Sequence, residues 1–176
     1  NNVSTKIGAT FENMAFCGDN GSANTYDSNT YWNYVQEAMN VVANSNKVEG
    51  EGIFIAGNHE YQNGSFGSTS NATAAKIKTI GYTENTSDYA IYVFGAASGS
   101  QSFNTSDINN LSTWLKNNAN GDKPVFVVSH FPIHRFNDRA TDNAQALVSV
   151  LNEYPNVVFL WGHNHTLSDS HYDKVH

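Results

Sequence analysis

The sequence predicts an α/β fold in which central sheets are flanked by helices, and three observations support this class. Apolar, strand-like runs alternate with segments whose apolar residues recur at helical spacing. At least four of the runs are apolar throughout, so we expect helices on both faces of the sheet. The chain has 176 residues and no internal repeat, which predicts a single domain over residues 1–176.

The first half of the chain predicts two strands and two helices. Their ranges in chain order are a strand at 14–17, a helix at 29–43, a strand at 53–56 and a helix at 71–80. Both strands are short apolar runs, typical of buried strands, and each is followed by a glycine. Gly81 marks the end of the second helix. The first helix has a predicted core face formed by Trp32, Val35, Met39 and Val42.

The second half predicts three strands and two helices. Their ranges are a strand at 89–94, a helix that starts at 106, a strand at 125–128, a helix at 142–153 and a strand at 157–161. The strands are rich in β-branched and aromatic residues. The predicted inward faces of the two helices carry Ile108, Leu111, Trp114 and Leu115, and Ala144, Leu147, Val148 and Leu151.

Composition and charge restrict the possible functions. The net charge of −7 argues against binding of duplex nucleic acid, because that affinity comes mainly from cations that neutralise phosphates. Cys17 is the only cysteine, which excludes an internal disulfide and a thiolate zinc cluster. No apolar run is long enough to span a bilayer, so we expect no membrane partner. Abundant Asn, Ser and Thr and few Lys and Arg favour an extracytoplasmic or bacterial cell-surface location.

Residues with metal-binding chemistry follow four of the predicted strands. They are Asp19, Asn58, His59, His130, His163 and His165. Because ligands of open α/β sheets bind beyond the C-terminal ends of strands, we expect these side chains to converge. Taken singly, Asp19 is also consistent with an ordinary turn residue, and His163 and His165 with exposed loop residues. Together, six such groups exceed the needs of one tetrahedral ion and suit Zn, Mn, Fe or Ni. Two such ions about 3.5–4 Å apart commonly hydrolyse phosphate esters.

Four motifs occur in a fixed order along the chain. They are Gly18-Asp19, Gly57-Asn58-His59-Glu60, Ser129-His130 with Pro132 after it, and Gly162-His163-Asn164-His165. In these motifs and their order, the chain from Phe16 to Thr166 resembles the calcineurin-like metallophosphoesterase superfamily. The resemblance implies a metallophosphoesterase-like sandwich of β-sheets flanked by helices. It also implies hydrolysis of phosphomonoesters or phosphodiesters, possibly nucleotides, by a metal-activated hydroxide at a site that holds two divalent transition-metal ions.

The resemblance implies a role for each residue of the four motifs. Asp19 would bridge the two ions, and His165 would bind the first ion. The ligands of the second ion would be Asn58, His130 and His163. His59 would not bind metal but would act in catalysis beside the substrate phosphate, where Asn58 and His163 would also contact the substrate. We interpret Glu60 as a residue that steers His59 or caps the segment that follows.

The chain departs from the family pattern at two places. No Asp-x-His motif, which would supply further ligands to the first ion, precedes Asp19, and the family's strands beyond the last motif are missing. We therefore expect the chain to be a truncated version of the fold and a fragment of a longer protein, inactive by itself. The alternative is a catalytically incomplete metal-binding or interaction domain that retains the fold. An upstream Asp-x-His in the encoded protein would favour the enzyme.

Overall fold

The structure, a computed structural model, describes residues 10–21, 28–62, 66, 71–96, 98–133 and 141–164. The strands in these ranges are β1 (Ala15–Phe16), β2 (Ile53–Phe54), β3 (Thr83–Asn85), β4 (Ala90–Val93), β5 (Val125–Val128) and β6 (Val157–Leu160). The helices are α1 (Ser28–Ala43), α2 (Asn58–Gln62), α3 (Thr105–Asn118) and α4 (Ala144–Leu151), with a short 3-10 helix at Ala74–Lys76. This alternation of strands and helices confirms the predicted α/β class.

The strands form two sheets. Strands β1 and β2 pair in parallel, and the second sheet has the order β3-β4-β5-β6. Strand β3 is antiparallel to β4, whereas β4, β5 and β6 are parallel to one another. A hydrogen bond from the Ala96 amide to the Ala56 carbonyl joins the segments that follow β4 and β2. The C-terminal ends of β2, β4 and their parallel neighbours therefore lie on the same side of the molecule.

Within the described ranges, three clusters of buried apolar residues form the core. One lies between the second sheet and helices α3 and α4, and it contains Leu111 and Leu147. Another lies between α1 and the segment around β2, where the four residues predicted for the core face of α1 are all buried. The third contains Ile53, Ile91 and Val128, on the opposite face of the strands. Among the described residues this third cluster contains no helical residue.

The helix predicted over residues 71–80 is wrong. The chain forms only the 3-10 turn at Ala74–Lys76, and Ile77 is already extended. The Lys78 amide donates to the Phe54 carbonyl, and the Lys78 carbonyl accepts from the Ala56 amide. The segment therefore pairs with the strand region around β2, and this tertiary pairing overrides a weak helical pattern.

Several predicted boundaries and burials also need correction. Strand β1 is half-buried rather than buried. Strand β6, the last strand of its sheet within the described residues, is also half-buried, and its Val158 is exposed. Helix α4 begins after Asn143, whose φ of 62° is not helical, and its Ala144 and Val148 are only half-buried. Trp114 is likewise half-buried and packs on Tyr92. The sequence does not predict strand β3, because its polar residues lack an apolar strand pattern.

No helix within the described ranges combines the length and the apolar character needed to cross a membrane.

We expect the Leu111→Ala variant to lose about 2–5 kcal/mol of unfolding free energy. Leu111 is fully buried between α3 and the second sheet, so truncation leaves a cavity as well as removing apolar contacts. Denaturant unfolding followed by circular dichroism measures the change. The control is Val41→Ala on α1, where the side chain is 72% exposed and the expected change is within about 0.5 kcal/mol. Equal losses in the two variants would contradict the core assignment.

Candidate metal centre

The pairing of β5 with β6 brings His130 and His163 together. Val128 lies opposite Leu160 at the end of the ladder. The pairing continues beyond both strands, because the Ser129 amide donates to the Leu160 carbonyl and the Gly162 amide donates to the His130 carbonyl at 3.1 Å. Gly162 therefore lies opposite His130, and His163 is the next residue along the chain. The Nδ1 atom of His163 lies 3.1 Å from His130 Nε2.

The pairing of β1 with β2 brings Asp19 next to the start of helix α2. Beyond this pair the chain turns at Gly18 and Gly57, and a Cβ atom at Gly18 would lie 2.7 Å from the Gly57 nitrogen. The two turns approach so closely that the His59 amide donates to Asp19 Oδ1 at 2.9 Å. Asn58, the first residue of α2, is buried at this junction.

The four side chains converge on one atom, Nε2 of His130. Its distances are 2.9 Å to Asn58 Oδ1, 3.1 Å to His163 Nδ1 and 3.4 Å to Asp19 Oδ2. One ligand atom from each of Asp19, His130 and His163 lies within 4.8 Å of the others. His130 is fully buried, and Asp19 and His163 are half-buried. The structure thus brings together four of the five residues predicted as metal ligands.

The chemistry of this donor set fits a divalent cation. His130 Nδ1 lies 2.7 Å from the Cys17 carbonyl, which can only accept, so Nδ1 carries a hydrogen. In neutral His130 the lone pair is then on Nε2, which faces the carboxylate and amide oxygens of Asp19 and Asn58. Several acceptor atoms that face one another are stabilised by a cation among them. Carboxylate, amide and imidazole ligands together suit a first-row dication.

Asp19 is electrostatically prepared to be a metal ligand. Burial by itself raises the pKa of this carboxyl. The His130 imidazole, when it is protonated and donates from Nε2, lowers this pKa, as do the hydrogen bond from the His59 amide and the charge of a protonated His59. The net result is a pKa of Asp19 below its usual value. Asp19 is therefore a carboxylate at neutral pH.

Two of the converging residues have an unusual backbone conformation. Asp19 has φ 54° and His163 has φ 69°, in the left-handed region that residues other than glycine rarely occupy. Such conformations cost about 1–3 kcal/mol each and are concentrated at functional sites. In this structure the left-handed conformations direct the side chains of both residues towards His130. Local sequence preferences alone would not favour these conformations.

His59 lies at the more open side of the cluster. Its Nε2 is 3.8 Å from Asp19 Oδ2, and its side chain is 23% exposed, compared with 1% for that of His130. This position beside the carboxylate leaves part of the imidazole accessible to a molecule from solvent. His165, predicted to bind the first ion, lies outside the described residues.

Glu60 contacts the two turns rather than solvent. It is fully buried and accepts hydrogen bonds from the amides of Gly57, Asp19 and Asn20. Residues 63–65, in the segment that Glu60 is expected to cap, lie outside the described residues. It therefore holds together the two turns that carry Asp19 and Asn58.

Tyr31 and Asn20, which are not among the residues predicted for the site, both contact Glu60. The Tyr31 hydroxyl donates to Glu60 Oε1 at 2.5 Å, and Asn20 Nδ2 donates to the same oxygen at 3.0 Å. A signal for Tyr31 was present, because it lies four residues before Val35, on the buried face of α1. Asn20 follows Asp19 in a polar turn, where asparagine is common and carries no specific signal.

Comparison with known families identifies the class of this protein. The sequence profile of the calcineurin-like phosphoesterase family matches residues 11–167, which include all four motifs. The chain therefore belongs to the calcineurin-like phosphoesterases, a family of hydrolases, and the predicted superfamily is confirmed. A comparison with curated proteins returned no match to the chain.

Proposed function

We propose that this protein is a metal-dependent phosphoesterase that hydrolyses a small phosphomonoester or phosphodiester. The observation that carries the proposal is the convergence of Asp19, Asn58 and His163 on Nε2 of His130. These residues come from the ends of different strands, and a merely structural role would not require their ligand atoms to face one another. Membership of the calcineurin-like phosphoesterases supports the reaction class.

In this proposal Asp19, Asn58, His130 and His163 would hold one dication, and Asp19 and His165 would be ligands of a second. Divalent transition metals such as Mn, Fe, Zn or Ni, when bound, activate water for attack on phosphorus and offset the charge of phosphoryl oxygens. Asn58 supplies a neutral oxygen, so it adds no negative charge against an anionic substrate. The hydrogen bond to the Cys17 carbonyl keeps the His130 ring in the tautomer that presents Nε2.

We assign the proton-transfer role to His59. Its imidazole lies beside the Asp19 carboxylate and is partly exposed, so it can contact a phosphate group bound at the cluster. A protonated imidazole there would stabilise the phosphoryl oxygens or donate a proton to the leaving oxygen. Asn58 and His163 would contact the substrate as well as the metal. Phosphate esters as small substrates agree with the acidic net charge, because a locally bound cation can hold an anion.

The test is hydrolysis of 4-nitrophenyl phosphate and bis(4-nitrophenyl) phosphate by the intact protein. We expect activity with added Mn²⁺, loss of activity after treatment with a chelator, and recovery on returning Mn²⁺. The His59→Ala variant should bind Mn²⁺ as the wild type does but lose about 100-fold in kcat, the lower end of the contribution of a general acid. Isothermal titration calorimetry measures Mn²⁺ binding and absorbance measures the rate.

A matched control separates the imidazole's chemistry from damage to the fold. Asn44→Ala, at an exposed position after helix α1, should retain wild-type kcat and Mn²⁺ affinity. Mn²⁺ binding without hydrolysis of either ester would favour the alternative of a catalytically incomplete metal-binding domain. Unchanged kcat in His59→Ala would contradict the role of His59.

A further inference from the structure

The carboxylate of Glu60 is fully buried and accepts hydrogen bonds from five donors within the described part of the chain. Oε2 accepts from the Gly57 amide at 2.6 Å and from the Asp19 amide at 3.0 Å. Oε1 accepts from the amide and side chain of Asn20 and from the Tyr31 hydroxyl. All five donors are neutral, so the buried charge depends on their number and geometry. Loss of any one of these donors would therefore hold the carboxylate less firmly in its position.

Tyr31 is the donor that comes from outside the two turns. It lies on α1, is fully buried, and its ring packs edge-on against Trp32 at 5.3 Å. Its ring also fills the space beside Gly21, where a Cβ atom would lie 2.6 Å from the ring. Burial, together with the charge and hydrogen bond of Glu60, raises the pKa of the Tyr31 phenol. The phenol therefore stays protonated and acts as a donor at all ordinary pH values.

This contact connects helix α1 to the metal-ligand candidate Asp19. Glu60 Oε2 holds the amide of Asp19, and Asp19 has the left-handed φ of 54° that directs its side chain towards His130. Because both oxygens belong to one rigid carboxylate, the Tyr31 hydrogen bond at Oε1 restricts rotation that would move Oε2 away from Asp19. The position of the ligand carboxylate thus depends on a residue of α1 that does not contact it through any described hydrogen bond.

We propose that Tyr31 is a positioning residue of the metal centre. Through Glu60 it fixes the turn at Asp19, so that the Asp19 carboxylate, His130 and His163 are arranged for metal binding before the ion arrives. This proposal rests on the proposed function for the identity of the ligand as a dication. The ordering of the Asp19 turn by Tyr31 is a property of the metal-free protein and can be measured separately.

The test compares Tyr31→Phe with Tyr82→Phe in the intact protein. Tyr82 is a matched control, because its hydroxyl also donates to a glutamate, Glu84, at 2.7 Å, but on β3, outside the candidate centre. In metal-free protein, amide hydrogen exchange read by NMR should become faster at Asp19, Asn20 and Gly57 in Tyr31→Phe and should be unchanged there in Tyr82→Phe. Calorimetric titration with Mn²⁺ alone should show about 10-fold weaker binding in Tyr31→Phe only.

The two readouts distinguish the positioning role from general destabilisation and from failure of the proposed function. A merely structural role for Tyr31 would raise exchange across α1 and the core without a specific effect at Asp19, and this result would overturn the proposal. Wild-type Mn²⁺ affinity in Tyr31→Phe would also overturn it. If the wild-type protein itself binds no Mn²⁺, the proposed function fails, and exchange at Asp19 still decides whether Tyr31 orders the turn.

Discussion

Replacing Asp19 by asparagine is expected to weaken Mn²⁺ binding by at least about 100-fold and to abolish Mn²⁺-dependent ester hydrolysis. Residues that only orient a metal ligand already contribute about 10–100-fold to affinity, and Asp19 is proposed to bind the metal itself. The substitution preserves size, so Oδ1 can still accept from the His59 amide. The new amide nitrogen then takes the place of Oδ2, 3.4 Å from His130 Nε2.

This replacement should separate metal binding from folding. An amide N–H facing the His130 lone pair can form a hydrogen bond, so the metal-free variant should unfold at a temperature close to that of the wild type. Added Mn²⁺ should raise the melting temperature of the wild type, because the ion binds the folded state, and should leave that of Asp19→Asn unchanged. Thermal melts with and without Mn²⁺, together with calorimetric titration, measure both effects.

Asp88→Asn is the matched control for the loss of one negative charge. Asp88 is exposed in the turn between β3 and β4, so this variant should bind Mn²⁺ and hydrolyse esters as the wild type does. A Mn²⁺ affinity of Asp19→Asn within about threefold of the wild-type value would show that Asp19 is not a ligand, and the proposed centre would then be wrong.

Much of the fold could be predicted because apolar patterning dominates in the core. Strands β4 and β5 and helices α1 and α3 have continuous or helically spaced apolar residues, and each was located from the sequence to within a few residues. Strand β3 and the segment after Lys76 could not be located, because pairing with a neighbouring strand, rather than local sequence, determines their conformation.

For the candidate site too, the sequence predicts one part, whereas the other part depends on contacts between distant segments. The strand-end rule predicted the neighbourhood of Asp19, Asn58, His130 and His163, because parallel strands deliver their following residues to one edge. The rule could not predict the partners of Glu60. These depend on the close approach of two turns about 40 residues apart in the chain and on a tyrosine from a helix. Convergence of this kind is a property of tertiary packing. The helical spacing of Tyr31 indicates that its side chain is buried, but not which group it contacts.

The close approach of the two turns predicts that a larger residue at Gly57 will reduce both stability and Mn²⁺ binding. In Gly57→Ala the new Cβ would overlap Asp19 Oδ1 and would lie 2.6 Å from the Asp19 nitrogen and 2.9 Å from His130 Cε1. These atoms belong to the backbone and to held side chains, so the turns must separate. We expect a loss of about 1–3 kcal/mol of unfolding free energy and at least about 100-fold weaker Mn²⁺ binding.

The control for Gly57→Ala is Gly99→Ala, because a Cβ atom there meets nothing closer than 3.9 Å, at Tyr61. Denaturant unfolding and calorimetric titration with Mn²⁺ should show little change in the control. In Gly57→Ala they should show a lower unfolding free energy and weaker Mn²⁺ binding. Because the overlap falls on Asp19 and His130 rather than on the apolar core, Gly57→Ala should lose more Mn²⁺ affinity than the core variant Leu111→Ala, although Leu111→Ala is expected to lose at least as much unfolding free energy. Equal affinities in these two variants would mean that the contact between the turns does not position the ligands.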